Sequence, residues 1–321
     1  MVFVQERTSR GITYLYLDKS IRSGKKVFKI SKYLGRKKDL TQETIQSEIK
    51  KFALEVHPRL LTALTKGLKK YHLAYPLTLE ELTKIEEMNL KYQEIKKSIN
   101  KKDWDDIKRR FVANFVFESN ALEGNSLTLK NFSEIVFEKK ITSAANLRDV
   151  YDAQNSYAVF SKLFSARKEI TEKFILTLHQ DIMNNIDDRV GYKKLPNIIL
   201  GRRVTLASPK DVSPEIKKLL VWYVTHKGIY HPLELAFRFH HHFERIHPFA
   251  DGNGRVGRML LNYILIKNKY YPVIIRKTHR NQYLKALEAA DNKKYTPLLR
   301  FALEKTKETY RKFFEIYYIH L

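Results

Sequence analysis

The chain has 321 residues, 60 of them Lys or Arg against 35 Asp or Glu, a formal net charge of +25, with 43% hydrophobic residues and no cysteine. That length allows a large core and two or three modules, the apolar content excludes wholesale disorder, and the missing cysteine excludes disulfides and thiolate chemistry. The positive excess is spread along the chain and favours polyanionic partners. No apolar run is long enough to span a bilayer and residues 1–10 lack a signal-peptide core, so the expectation is no membrane and a cytoplasmic location.

Residues 1–38 read as a small basic β-hairpin. Residues 12–17 are rich in strand formers, residues 26–30 alternate, and Ser23-Gly24 supplies a turn. Tyr and Phe residues are interleaved with eleven Lys and Arg. Two readings stand: a module for nucleic acid or another anionic partner, or a solvated hairpin docked on a helical body by its aromatic face. The second is the simpler, because a two-stranded ribbon carries no readable recognition code. Residues 39–109 read as a helical region: a helix capped by Thr41 running towards Pro58 and on to Tyr71, then one over about 78–100, with a charged connector at 96–102. A helix from Asp103 ends near Ala121 in Ser119-Asn120-Ala121-Leu122-Glu123-Gly124. Helices follow at 129–139, 147–164 and 174–183, with Thr128 and Thr171 as caps. Residues 195–208 are the one extended stretch in the helical body and read as a hairpin about Gly201. Helices over 213–225 and 233–245 lead to the densest motif. His240, His241 and His242 lie in the second of these. Adjacent helical side chains point about a hundred degrees apart, and no His-Glu-x-x-His pattern is present, so a zinc site is not expected.

That motif is His247-Pro248-Phe249-Ala250-Asp251-Gly252-Asn253-Gly254-Arg255-Val256-Gly257-Arg258. It combines a general-base candidate, a carboxylate able to hold a metal, a glycine turn and two arginines. Apolar residues follow at once, which predicts a buried helix opening near Asn253. A glycine turn opening a helix presents backbone N–H groups and the positive dipole end, an anion site suited to phosphates. Arg255 and Arg258, three apart, share one face of that helix. Basic residues there oppose the dipole, which makes sense if a polyphosphate is shared between helix and arginines. A turn that merely packs would leave the histidine, aspartate and arginines unexplained.

At these residues the chain resembles the Fic family, whose best-known members transfer AMP from ATP to a protein hydroxyl. The resemblance covers about residues 110–305 and implies a mainly α fold: a Fic-type helical core with a β-hairpin flap, here preceded by the small N-terminal β-hairpin and helices. Four segments are therefore expected: the hairpin module 1–38, the helical region 39–109, the Fic core with its inhibitory helix 110–305, and a C-terminal helix 306–321. It implies His247 as catalytic base and Asp251 as holder of Mg²⁺. Gly252, Asn253 and Gly254 would bind phosphates, with the Asn253 side chain at the α-phosphate, Arg255 balancing charge and Arg258 orienting the γ-phosphate. Ser119, Glu123 and Gly124 resemble the family's inhibitory motif, in which the glutamate pairs with the second arginine and displaces the γ-phosphate. One carboxylate competing with one phosphate for one guanidinium is sound chemistry. Leu200, Gly201, Arg202 and Arg203 fall in the flap, which covers the nucleotide while residues 195–208 dock a target protein by strand addition. Tyr283, Leu284 and Asp291 fall where the family contacts base and ribose.

The activity so implied is a self-inhibited protein adenylyltransferase, a nucleotidyltransferase with ATP as substrate and Mg²⁺ as cofactor, acting on a Ser, Thr or Tyr hydroxyl. Two alternatives remain open: a deAMPylase using the same site, and a regulator that binds nucleic acid through the N-terminal hairpin with the Fic core as nucleotide sensor. A homodimer is an expectation from the family.

Overall fold

The structure, a computed structural model, describes residues 2–23, 26–140, 146–197 and 204–320. It is mainly helical, with twelve α-helices and one three-stranded antiparallel sheet among the described residues. The chain divides into two compact units, Met1–Lys70 with Leu79–Leu90, and Tyr71–Thr78 with Lys91–Leu321. These bounds differ from divisions at 38, 109 and 305, because the N-terminal sheet shares a core with the helix that follows it and the C-terminal helices share one with residues 92–111.

In the first unit, β1 (Phe3–Ser9), β2 (Ile12–Ser23) and β3 (Lys26–Arg36) form a sheet of order β1-β2-β3. The expected hairpin is β2–β3; its turn at Gly24 lies outside the described residues. β1 is an added strand that alternation could not reveal, since all seven of its residues are exposed. It joins β2 through Arg10 and Gly11, both at positive φ (50° and 75°), with Ser9 opposite Ile12. Such a two-residue turn matches the right-handed twist of the strands. Leu15 and Leu17 face inward, and Leu17 packs with Phe52 and Val56 of α1 (Gln42–Leu68), flanked by Ile30, Leu34, Ile49 and Leu60. Full burial of each such side chain contributes about 1.5–3 kcal/mol. The sheet therefore docks by its aliphatic face. The reading that its aromatic face would dock is corrected: Tyr14 and Tyr16 alternate with the leucines and point the other way. Thr41 caps α1, accepting from Thr44 N at 3.2 Å, and the helix runs unbroken through Pro58.

In the second unit, α2 (Leu79–Ser98, which enters it at Lys91) is followed by α3 (Lys101–Leu122), whose cap Asn100 accepts from Asp103 N at 3.0 Å. The expected connector at 96–102 is thus two helix ends. Next come α4 (Leu129–Ser133), α5 (Leu147–Leu163), α6 (Glu172–Met183), α7 (Val212–His226), α8 (Pro232–Ile246), α9 (Asn253–Lys267), α10 (Arg280–Asp291), α11 (Thr296–Thr309) and α12 (Glu315–Ile319). Phe111 of α3 stacks on Phe314 at 5.4 Å, and Tyr92 meets the same ring at 4.9 Å, so the chain's last turns belong to this core. Helix α9 lies at the centre, packed by α8, α3, α5 and α6. It is buried nearly all round, from Arg255 to Leu265. A helix so enclosed must supply partners for any charge it carries. No helix among the described residues is long and apolar enough to cross a membrane.

Candidate functional site

The site grows from the loop between α8 and α9. His247 ends α8 in a left-handed conformation (φ 48°), its N–H donating to Phe243 O at 2.9 Å. The loop that follows is closed by one side chain. Asn253 Oδ1 accepts from Phe249 N at 2.9 Å and Asn253 Nδ2 donates to Phe249 O at 2.8 Å. The side chain expected at a phosphate is thus engaged in holding the loop, which leaves Asn253 its backbone N–H to offer. Phe249 is fully buried and stacks on His179 of α6, with ring centroids 3.7 Å apart. His179 Nε2 donates to Asp251 O at 3.1 Å, and burial pushes its pKa down to about 4, so the ring is neutral at physiological pH. Gly252 caps α9 at φ 82°, and a Cβ there would lie 2.9 Å from Met183 Sδ. Glycine is required twice over, by backbone conformation and by space. A glycine cap offers no oxygen to the first-turn N–H groups, which leaves them available to an anion.

Charge is arranged in two layers behind that turn. Arg255 is buried between two carboxylates: Nη1 pairs with Asp152 Oδ1 of α5, and Nη2 with Asp251 Oδ1 at 3.1 Å. Asn125 Nδ2 donates to the other Asp152 oxygen at 3.1 Å. The Asp251 carboxyl also accepts from Gly252 N at 2.6 Å and pairs with Arg148. Burial works to raise its pKa, but Arg255, the Gly252 N–H and Arg148 outweigh it and hold the group ionised. One carboxylate with an outward oxygen fits Mg²⁺, which takes one or two acids and completes its shell with phosphates and water. Arg148, 55% exposed at its side chain, can swing aside from that oxygen. Among the described residues, no group of three or more His, Asp or Glu could hold a metal by itself.

Arg258 is buried one turn further and bound to the end of α3. Its Nε donates to Ser119 Oγ at 2.9 Å, its Nη2 to Ser119 O at 2.7 Å, and its Nη1 pairs with Glu123 Oε1 at 2.8 Å. Burial opposes the charge, but Glu123 outweighs it. Helix α3 ends there because Gly124 N bonds Ala121 O and Asn125 N bonds Asn120 O, with Gly124 at φ 100°. That double closure fixes Glu123 as the last residue before the turn and aims it at α9. A Cβ on Gly254 would lie 2.1 Å from Glu123 Oε1, so only glycine leaves room for this carboxylate over the start of α9.

Glu244 lies between two histidines, 3.8 Å from His247 Nδ1 and 4.0 Å from His240 Nδ1, and Gly257 lets it approach α9. The three consecutive histidines meet three different neighbours. His240 bonds Tyr283 OH at 2.5 Å, His241 bonds Asp291 Oδ1 at 3.0 Å, and His242 meets Trp222 edge-on at 4.8 Å. Tyr283 and Asp291 are therefore engaged with α8, while Leu284 is half-buried beside them. Leu200, Gly201, Arg202 and Arg203 lie outside the described residues. The arm before them is tied to the loop: Lys193 N bonds Pro248 O at 2.8 Å, and Asn197 Nδ2 bonds Phe249 O at 2.7 Å.

The fold thus brings together His247, Asp251, Gly252, Asn253, Gly254, Arg255, Arg258, Ser119 and Glu123. Sequence reasoning missed Asp152, His179 and Arg148. Asp152 and His179 did leave a signal, since each is a polar residue inside the apolar stripe of an amphipathic helix. Arg148, in the first turn of α5, left none.

The Fic/DOC family model matches residues 169–265. Curated relatives named protein adenylyltransferase Fic include those of Aedes aegypti, 28% identical over 60% of this chain and 40% of that protein, and Nematostella vectensis, 30% identical over 60% of this chain and 47% of that one. The chain thus spans less than half the length of these relatives. Among solved structures, a Fic-domain signaling protein from Bacteroides thetaiotaomicron is 25% identical at a TM-score of 0.65, covering 71% of this chain and 95% of that one. Fic-1 from C. elegans shares the fold at a TM-score of 0.62 and 20% identity, covering 83% of this chain and 84% of that one. The loop, the central helix and these likenesses agree: residues 169–265 of this chain match the Fic/DOC family and carry a Fic-type fold.

Proposed function

We propose that the chain is an adenylyltransferase that moves AMP from ATP to a hydroxyl of a target protein, and that Glu123 holds it inactive. The observation that carries the inhibition is the Glu123–Arg258 pair over Gly254. It occupies the guanidinium that would otherwise meet the terminal phosphate, and it lays a negative charge against the helix end that would receive the others.

The steps follow from the residues. Gly252, Asn253 and Gly254 present backbone N–H groups to the phosphates. Asp251 would hold Mg²⁺, which would supply positive charge against the charge that builds on the leaving pyrophosphate. The target hydroxyl oxygen attacks the α-phosphorus, a new P–O bond forms, and the bond to the β-phosphate's bridging oxygen breaks. His247 takes the hydroxyl proton; its Nδ1 faces Glu244, so Nε2 is the atom assigned to receive it. Arg255 is fixed by Asp152 and stays charged beside the transferring group, and Arg258, once free of Glu123, orients the γ-phosphate. Positioning and electrostatics then carry most of the rate. The segment 195–208 would dock the target strand, anchored to the loop through Asn197.

The test is His247→Ala in the Glu123→Gly background. It should bind ATP like Glu123→Gly alone, by titration calorimetry, and transfer nothing. Persistent transfer would remove His247 from the base role.

A further inference from the structure

The N-terminal sheet has a second face that the nucleotide site does not use. Tyr14 and Tyr16 of β2 and Tyr33 of β3 gather there, with ring centroids 6.0 Å apart for Tyr14–Tyr33 and 5.3 Å for Tyr16–Tyr33. The Arg7 guanidinium of β1 lies 4.0 Å over the Tyr16 ring. With Ser9 these residues line a shallow depression of about 580 Å³. Tyr33 keeps 54% of its surface exposed.

Charge surrounds this aromatic floor. Residues 1–39 hold eleven Lys and Arg against three Asp and Glu. Two of those three acids are spent internally. Asp18 is buried and held by Lys29 at 2.7 Å, Ser31 at 2.5 Å and Arg7 at 3.1 Å, while Glu6 pairs with Lys37 at 2.7 Å. The Asp18 cluster joins all three strands and fixes Arg7 over Tyr16. Arg36 lies opposite Tyr14 in the register. Cross-strand tyrosine pairs stabilise the sheet modestly, and the same rings, left exposed among cations, offer a polyanion with planar groups both stacking surface and charge.

We propose that this face binds single-stranded nucleic acid. Bases of a single strand are free to lie on tyrosine rings, and the phosphates between them meet the surrounding cations. A duplex keeps its bases stacked inside and would meet the charge alone. The proposal stands apart from the nucleotidyl-transfer reading, since no residue is shared between them.

The test is fluorescence anisotropy of the full chain with about 12-nucleotide poly(U) and poly(dT), a duplex of equal length, and phosphatidylserine vesicles as competitor. Single strands should bind at least about tenfold tighter than duplex. Tyr33→Ala should weaken binding about five- to tenfold with an unchanged circular dichroism spectrum, and Tyr33→Phe, which keeps the ring, should not. Arg36→Ala, opposite Tyr14, should lower the slope of log affinity against log salt by roughly 0.7. No strand binding, equal affinity for duplex, no effect of Tyr33→Ala, or loss of the strand to the vesicles would each overturn the proposal.

Discussion

Glu123 and Gly254 share one volume: the carboxylate oxygen of the first lies 2.1 Å from where a side chain on the second would begin. Gly254 is thus needed for the ion pair of Glu123 with Arg258. Gly254→Ala should force Glu123 off Arg258 and cost about 1–3 kcal/mol in urea unfolding. In Glu123→Gly the same substitution should cost less, and the difference measures the coupling. An equal cost in both backgrounds would mean that Glu123 does not occupy that space.

Arg255 is buried between two carboxylates, and Asp152 is the one that is itself buried. Asp152→Ala should leave the guanidinium with Asp251 alone and lower stability towards the lower end of about 3–5 kcal/mol, read from the chemical unfolding midpoint. Asp152→Asn, which keeps a hydrogen-bond acceptor, should cost less. If both variants unfold like the wild type, Asp251 alone is enough to hold Arg255.

Stability should fall on mild acidification. His179 and His242 are both pushed down to about 4, chiefly by burial, with cationic neighbours adding to it at His242. The unfolded chain takes up these protons near pH 6.5, the folded one only near 4. Their contribution is therefore complete above pH 6.5 and drains away as pH falls towards 4, up to about 3 kcal/mol for each. Urea midpoints at pH 7.5, 6 and 5 should decrease in that order, and His242→Phe should flatten the slope. A flat profile in the wild type would mean that neither ring is held neutral.

How much of this was legible in the sequence depends on what each residue had to do. The loop from His247 to Arg258 could be read because its chemistry sits on consecutive residues. Glu123 could be read because Ser119-x-x-x-Glu123-Gly124 resembles the family's inhibitory motif; a helix end at Gly124 alone would leave the carboxylate solvated. The partners of the buried charges were harder. Asp152 is 103 positions from Arg255, and nothing local pairs them. The polar residue in an apolar stripe was the only trace. Strand β1 was invisible because it has no buried face, and the docking side of the sheet was misread because Leu15 and Tyr14 are equally good strand formers. Only the packing of α1 decides between them. Asn253 shows the converse: the motif offered its side chain to the α-phosphate, while in the structure that side chain holds Phe249 in place.

The most direct measurement is transfer of label from α-³²P-ATP with Mg²⁺ to protein, comparing wild type, Glu123→Gly and Glu123→Gly/His247→Ala. Freeing Arg258 from a charge-assisted hydrogen bond should raise transfer by roughly 10- to 100-fold in the single variant. Label should stay near background in the wild type and the double variant. Equal labelling of wild type and Glu123→Gly would contradict inhibition by Glu123, and label in the double variant would contradict His247 as the base.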